Sequence, residues 1–136
     1  MIHSDPSKNF IFSEKIDSDY LFSLYADDYP YIEEVYSITL THFEDDLESI
    51  RLAWASGDLE DLKRATHKIK PAMGFAGLTA IQEQCRQFED LCQKVDSTAS
   101  LKETYHQLIA TLAESKELIG SEYERLKAYN LNTLCP

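Results

Sequence analysis

Apolar residues recur every three or four positions along four stretches of the chain, and the residues between the stretches stop or start helices. The first stretch runs through Ile32, Val35, Tyr36, Thr39, Phe43, Leu47, Ile50 and Trp54, about six helical turns. Asp28 and Pro30 supply its start, with Glu33 and Glu34 suiting the positive end of the helix dipole. Gly57 stops it and Asp58 caps the next helix, a two-residue break that forces an antiparallel hairpin. The second helix starts near Leu59 and ends near Gly77, where Gly74 and Gly77 lower helix propensity. Its stripe is Leu62, Ala65, Ile69, Ala72 and Ala76, all within roughly 40° of one line at about 100° per residue. A third helix, Thr79 to Val95, turns Ile81, Cys85, Phe88, Leu91, Cys92 and Val95 inward. After a polar turn at 96–99, Ser100 and Glu103 form a capping box for a fourth helix with the stripe Leu101, Tyr105, Leu108, Leu112, Ile119, Tyr123 and Leu126, ending near Asn130.

Four long amphipathic helices with short joints predict an all-α, antiparallel up-down-up-down four-helix bundle. Residues 20–25 form a short lead-in helix, and no segment alternates with period two long enough to be a strand. The expected organisation is an N-terminal arm at 1–19, on which Phe10, Ile11 and Phe12 can pack against the bundle, a domain at 20–130 and a tail at 131–136. At 136 residues the chain is one domain, able to bury a core without disulfides or metals. Cys85 and Cys92, seven residues apart on one face, cannot bond to each other and read as core, whereas Cys135 lies in the tail.

Charge narrows the partners. A net charge of −11 and a pI near 4.7 argue against nucleic acid and anionic membrane. No stretch approaches a membrane span, and residues 1–13 do not read as a signal peptide, so a cytoplasmic protein is expected. Against this acidic background Lys63, Arg64, Lys68 and Lys70 crowd into eight positions free of Asp and Glu, where composition alone would place about one cation. His67 sits among them, opposite the predicted apolar stripe, with Pro71 and Gly74 on the same side. An exposed imidazole in a cationic setting suits a negatively charged group carried on the ring. A merely solvated helix face explains the cluster equally well.

The order of residues decides between these readings. His67, Ile69, Lys70, Ala72, Gly77 and Leu78 fall in a pattern that resembles the signature of histidine phosphotransfer (HPt) domains, the phosphorelay modules of two-component signalling. Pro71 departs from it, occupying a position that is commonly glycine. Within a helix a proline costs about 3 kcal/mol or more, and a kink is expected there. The resemblance implies that His67 accepts a phosphoryl group from a receiver-domain aspartate and passes it to another receiver. It implies a phosphocarrier without kinase activity of its own, partnered by a response-regulator receiver domain or a hybrid sensor histidine kinase. The domain itself carries no cofactor, and Mg²⁺ is expected on the partner. Lys70, with Lys68 and Lys63, would offset charge; Gly74 would leave room, with Gly77 of the signature as a further supporting residue; Arg64, Pro71, Gln82, Arg86 and Glu89 would contact the partner. Gln82, Arg86, Glu89 and Gln93 share one polar stripe of the third helix, which an ordinary outer face explains as well. A monomer is expected.

His42 and His106 adjoin core-facing Phe43 and Tyr105 and read as boundary residues. No recurrent His or Glu pairs suit a metal site, and neither a nucleophile elbow nor a phosphate loop is present. Glu44, Asp45, Asp46 and Glu48 read as a solvated face. The competing reading is an HPt-like adaptor that binds a receiver or another helical protein without being phosphorylated.

Overall fold

The computed structural model describes residues 9–134. Five helices follow one another among the described residues: α1 Ser18–Tyr25, α2 Tyr29–Ser56, α3 Leu59–Phe75, α4 Thr79–Lys94 and α5 Lys102–Leu134. A 3-10 turn, Thr98–Leu101, leads into α5. Helices α2 to α5 form the antiparallel bundle, α2 packing on α3 and α5, and α4 on α3 and α5. No strand occurs among the described residues.

Local chemistry sets most boundaries. Asp28 accepts the Tyr31 amide at 3.2 Å to cap α2, and Asp58 accepts the amides of Glu60 and Asp61 at 3.0 and 3.1 Å to cap α3. Between them Gly57 adopts a left-handed conformation that reverses the chain. Helix α2 buries Ile32, Tyr36, Thr39, Phe43, Leu47, Ile50 and Ala53, and each large apolar side chain so removed from water contributes about 1.5–3 kcal/mol. The predicted capping box of α5 is absent: Ser100 lies inside the 3-10 turn, which supplies the lead-in instead. Helix α5 also outlasts its predicted end, because Asn130 is buried and its amide donates to the Tyr29 carbonyl and to Glu33.

The end of α3 is fixed from several sides. Gly77, at φ +83°, closes it with a Leu78 amide bond to the Met73 carbonyl and a Gly77 amide bond to the Gly74 carbonyl. The Tyr25 hydroxyl donates to the Phe75 carbonyl at 2.9 Å, the Tyr36 hydroxyl to that of Ala76 at 2.7 Å, and the Asp17 amide to that of Gly77 at 2.8 Å. Three successive carbonyls are thus held by α1, α2 and the segment before α1. In that segment Phe10 and Ile16 are buried, but Ile11, expected to pack, is exposed. Its carbonyl accepts from Arg125, whose guanidinium lies over the Phe10 ring.

Helix α3 is not broken by its proline and continues through Pro71 to Phe75. Its buried residues are Leu62, Thr66, Ile69, Met73 and Gly74, with Ala76 buried just past its end, whereas Ala65 and Ala72 are only half-buried. The inward face is therefore rotated by roughly 40° from the predicted line, toward Thr66 and Met73, which brings His67 closer to α4.

Candidate functional site

His67 stands mid-way along α3 with its side chain 66% exposed. Its Nδ1 lies 2.6 Å from Oε1 of Glu89 on α4, a carboxylate only 7% exposed. Lys70, one turn along α3, places Nζ 2.7 Å from the other oxygen, Oε2. That contact is an ion pair off the line of a hydrogen bond, so Oε2 has a charge partner but no directed donor. A carboxylate this buried is costly unless it is paired, and here one carboxylate spans the ring and the ammonium.

Glu89 was expected on an outer stripe of α4 as a partner contact. It is instead buried beside Cys85, Phe88 and Cys92. The signal was available: 85, 88, 89 and 92 form one helical face, so a glutamate at 89 shares the cysteine side of the helix. Burial, followed by the Glu89 charge, pushes the Cys85 thiol up to about 12 and the Cys92 thiol up to about 11, so neither is a nucleophile near neutral pH.

The cationic island is largely compensated by carboxylates that the sequence window did not contain. Lys68 faces Asp46 of α2 at 3.5 Å, Arg64 pairs with Asp61 at 2.8 Å, and Lys70 is taken by Glu89. Lys63, half-buried, makes no ion pair among the described residues and lies close enough to Cys92 to favour its thiolate slightly. Exposure does not single out His67 either, since His42 and His106 are also exposed; His3 lies outside the described residues. The buried carboxylate on Nδ1 is what distinguishes this imidazole from those two.

The other predicted site residues divide by burial. Gly74 is buried, and a Cβ there would come within 2.6 Å of the Gln82 amide nitrogen. Its missing side chain accommodates half-buried Gln82 from α4, not open space for a partner. Gly77 likewise has an architectural place, since a Cβ would meet Leu21 and Ile16. Pro71, Arg86 and Gln93 are exposed, with Arg86 held by Glu83 and Asp90 of its own helix. The sequence reading missed two open apolar grooves that meet at Lys68. One, of about 730 Å³, is lined by Leu24, Tyr31, Ile38 and Phe75; the other, of about 740 Å³, by Leu52, Ala53, Ala65 and the edge of His67. No trio of His, Cys, Asp or Glu side chains converges as a metal-ligand set among the described residues.

The family model of the Hpt domain matches residues 34–127, more than half of the chain. The chain belongs to the Hpt domain family. Its fold is similar to that of the HPT domain from the Hpt sensor hybrid histidine kinase from Shewanella, with a TM-score of 0.71 over 82% of this chain and 95% of that one. Sequence identity is 15%, so that likeness is one of fold. No curated protein matches the chain. The matched region of this Hpt domain contains His67, Lys70 and Glu89 together. Membership assigns it, in general terms, to histidine phosphotransfer in phosphorelays, where Hpt domains are phosphocarrier modules that interact with receiver domains and histidine kinases. No helix among the described residues is long and apolar enough to cross a membrane.

Proposed function

We propose that this Hpt domain accepts a phosphoryl group from a receiver-domain aspartate on Nε2 of His67 and passes it to a second receiver. The observation that carries the reading is the 2.6 Å contact between Nδ1 and the buried Glu89 carboxylate. A carboxylate can only accept, so the neutral ring places its proton on Nδ1 and leaves the Nε2 lone pair outward. Nε2 has no protein partner among the described residues. A neutral imidazole nitrogen is already nucleophilic and needs no separate base. Nε2 attacks phosphorus in line while the aspartate carboxylate departs. Stabilisation of the transferring group falls mainly to the receiver, with its Mg²⁺ and lysine; this domain contributes placement. The grooves on either side of Lys68 offer apolar surface beside the ring on which a receiver can seat, one of them bordered by Asp45 and Asp46 of α2.

The test is incubation with a receiver carrying labelled aspartyl phosphate. Label should move to the wild type and to His42→Gln and His106→Gln, and not to a folded His67→Gln variant. Label retained by His67→Gln would overturn the assignment. A wild type that binds the receiver but takes up no label would support the adaptor reading instead.

A further inference from the structure

The groups that face His67 are few. Along α3 lie Lys63, Arg64, Lys68 and Lys70; α2 brings Asp46, which engages Lys68; α4 brings Glu89, with the thiols of Cys85 and Cys92 behind it held neutral. On the outer face of α4, Arg86 and Asp90 pair with each other. Of these charges, the one in hydrogen-bond contact with the ring is the Glu89 carboxylate. It is anchored from below by Lys70 and shielded from water, so it cannot be replaced there by solvent without opening the α3–α4 contact.

We propose that Glu89 keeps one proton on Nδ1 through both charging and discharge of the ring, so that phosphorylated His67 remains in its protonated, readily discharged form at neutral and mildly alkaline pH. The proposal rests on His67 being the phosphoryl acceptor. In the charging step the Nε2 lone pair forms the bond to phosphorus, the bond from phosphorus to the donor oxygen breaks, and that oxygen keeps the electron pair. The ring becomes an imidazolium bearing a phosphoryl dianion, its Nδ1 proton unmoved. In the reverse sense the electron pair of the N–P bond returns to Nε2 and a neutral imidazole leaves. Without a carboxylate on Nδ1, the phosphorylated ring loses that proton as pH rises, and an anionic imidazole is a far poorer leaving group. With it, the cationic ring is favoured, because an opposite charge at contact distance stabilises the charged form, commonly by one to three pH units. No proton needs to be exchanged with water in either direction of transfer.

The ring can be charged without any partner by phosphoramidate, whose P–N bond breaks with release of ammonia. Loss of the phosphoryl group to water would then be followed by phosphorus NMR from pH 5 to 10. Three samples are compared, each with His3, His42 and His106 replaced by glutamine so that a single ring can be charged: the folded chain otherwise wild type, its Glu89→Gln variant, and the otherwise wild-type chain unfolded in urea. Only the pH at which the rate falls is compared, so differences in water access do not matter. We expect the fall in folded wild type to lie at least about one pH unit above that in urea, equivalent to about tenfold faster loss on the alkaline side. In Glu89→Gln it should return toward the unfolded position. Coincident profiles for folded and unfolded wild type would overturn the proposal, and that comparison stands even if the variant fails to fold. A raised profile that persists in Glu89→Gln would overturn the role of Glu89. A ring that phosphoramidate does not charge would overturn the acceptor assignment and this proposal together, whereas a charged ring with coincident profiles overturns this proposal alone.

Discussion

Replacing Gly77 by alanine separates an architectural role for this signature glycine from a role in docking. Two costs add. At φ +83° an L-residue is strained by roughly 1–2 kcal/mol. Its Cβ would also lie 2.8 Å from Leu21 Cγ and 2.9 Å from Ile16 Cγ2. Both neighbours are buried, so relief requires α1 to shift, an overpacking cost of about 1–3 kcal/mol. Alanine restores roughly 0.4–1 kcal/mol by restricting the unfolded chain. The net loss is about 1–4.6 kcal/mol. Gly57→Ala is the internal control, since Gly57 has φ +70° but nothing within 4 Å of its added Cβ; strain alone should cost it about 0–1.6 kcal/mol. Urea unfolding of both variants, with slopes of about 1–3 kcal/mol per molar, resolves the difference. Phosphotransfer measured where Gly77→Ala is still folded should remain near wild type. Equal losses at positions 57 and 77 would refute the steric argument, and transfer abolished in a folded Gly77→Ala would show that the glycine serves the partner.

Lys70→Ala removes the charge partner of a buried carboxylate, and because Lys70 is itself only 21% exposed the loss of stability should be about 3–5 kcal/mol; transfer should slow by about tenfold, and unchanged melting and transfer would leave Lys70 without a role. Tyr36→Phe strips the Ala76 carbonyl of its buried donor and should cost about 1–3 kcal/mol in urea unfolding, with a loss below about 0.3 kcal/mol counting against that bond as an anchor of α3. The raised thiols give a pH dependence of defined sign. Burial favours neutral Cys85 and Cys92 in the fold, so their contribution is complete below the ordinary thiol value of 9.0 and is lost as pH rises toward 11–12. In a Cys135→Ser background, therefore, unfolding free energy should fall above pH 9, and thiol reagents at pH 8 should label the chain only as fast as it opens; immediate labelling would contradict the burial of both residues.

Helix number, order and most boundaries were legible in the sequence because they rest on local physics: the spacing of apolar residues along α2 and α5, the aspartate caps at 28 and 58, and the left-handed glycine at 57. The sequence also pointed to His67 through the residues around it, and its exposure follows from its place on the outer side of α3. What tertiary structure alone decided is the company that side chain keeps. A helical wheel measures phase within one helix, whereas the rotation of α3 by roughly 40° depends on how it packs against α4, where Thr66 and Met73 are buried. The same packing buries Glu89 under the ring, seats Gln82 over Gly74 and draws Lys70 inward. A window of sequence counts the charges written next to one another; it cannot count Asp46, twenty-one residues before His67, or Glu89, twenty-two after it, which compensate the cations in space. Likewise the three carbonyls that end α3 find donors in α1, α2 and the preceding segment, because a hydrogen bond requires proximity in space and places no limit on separation along the chain.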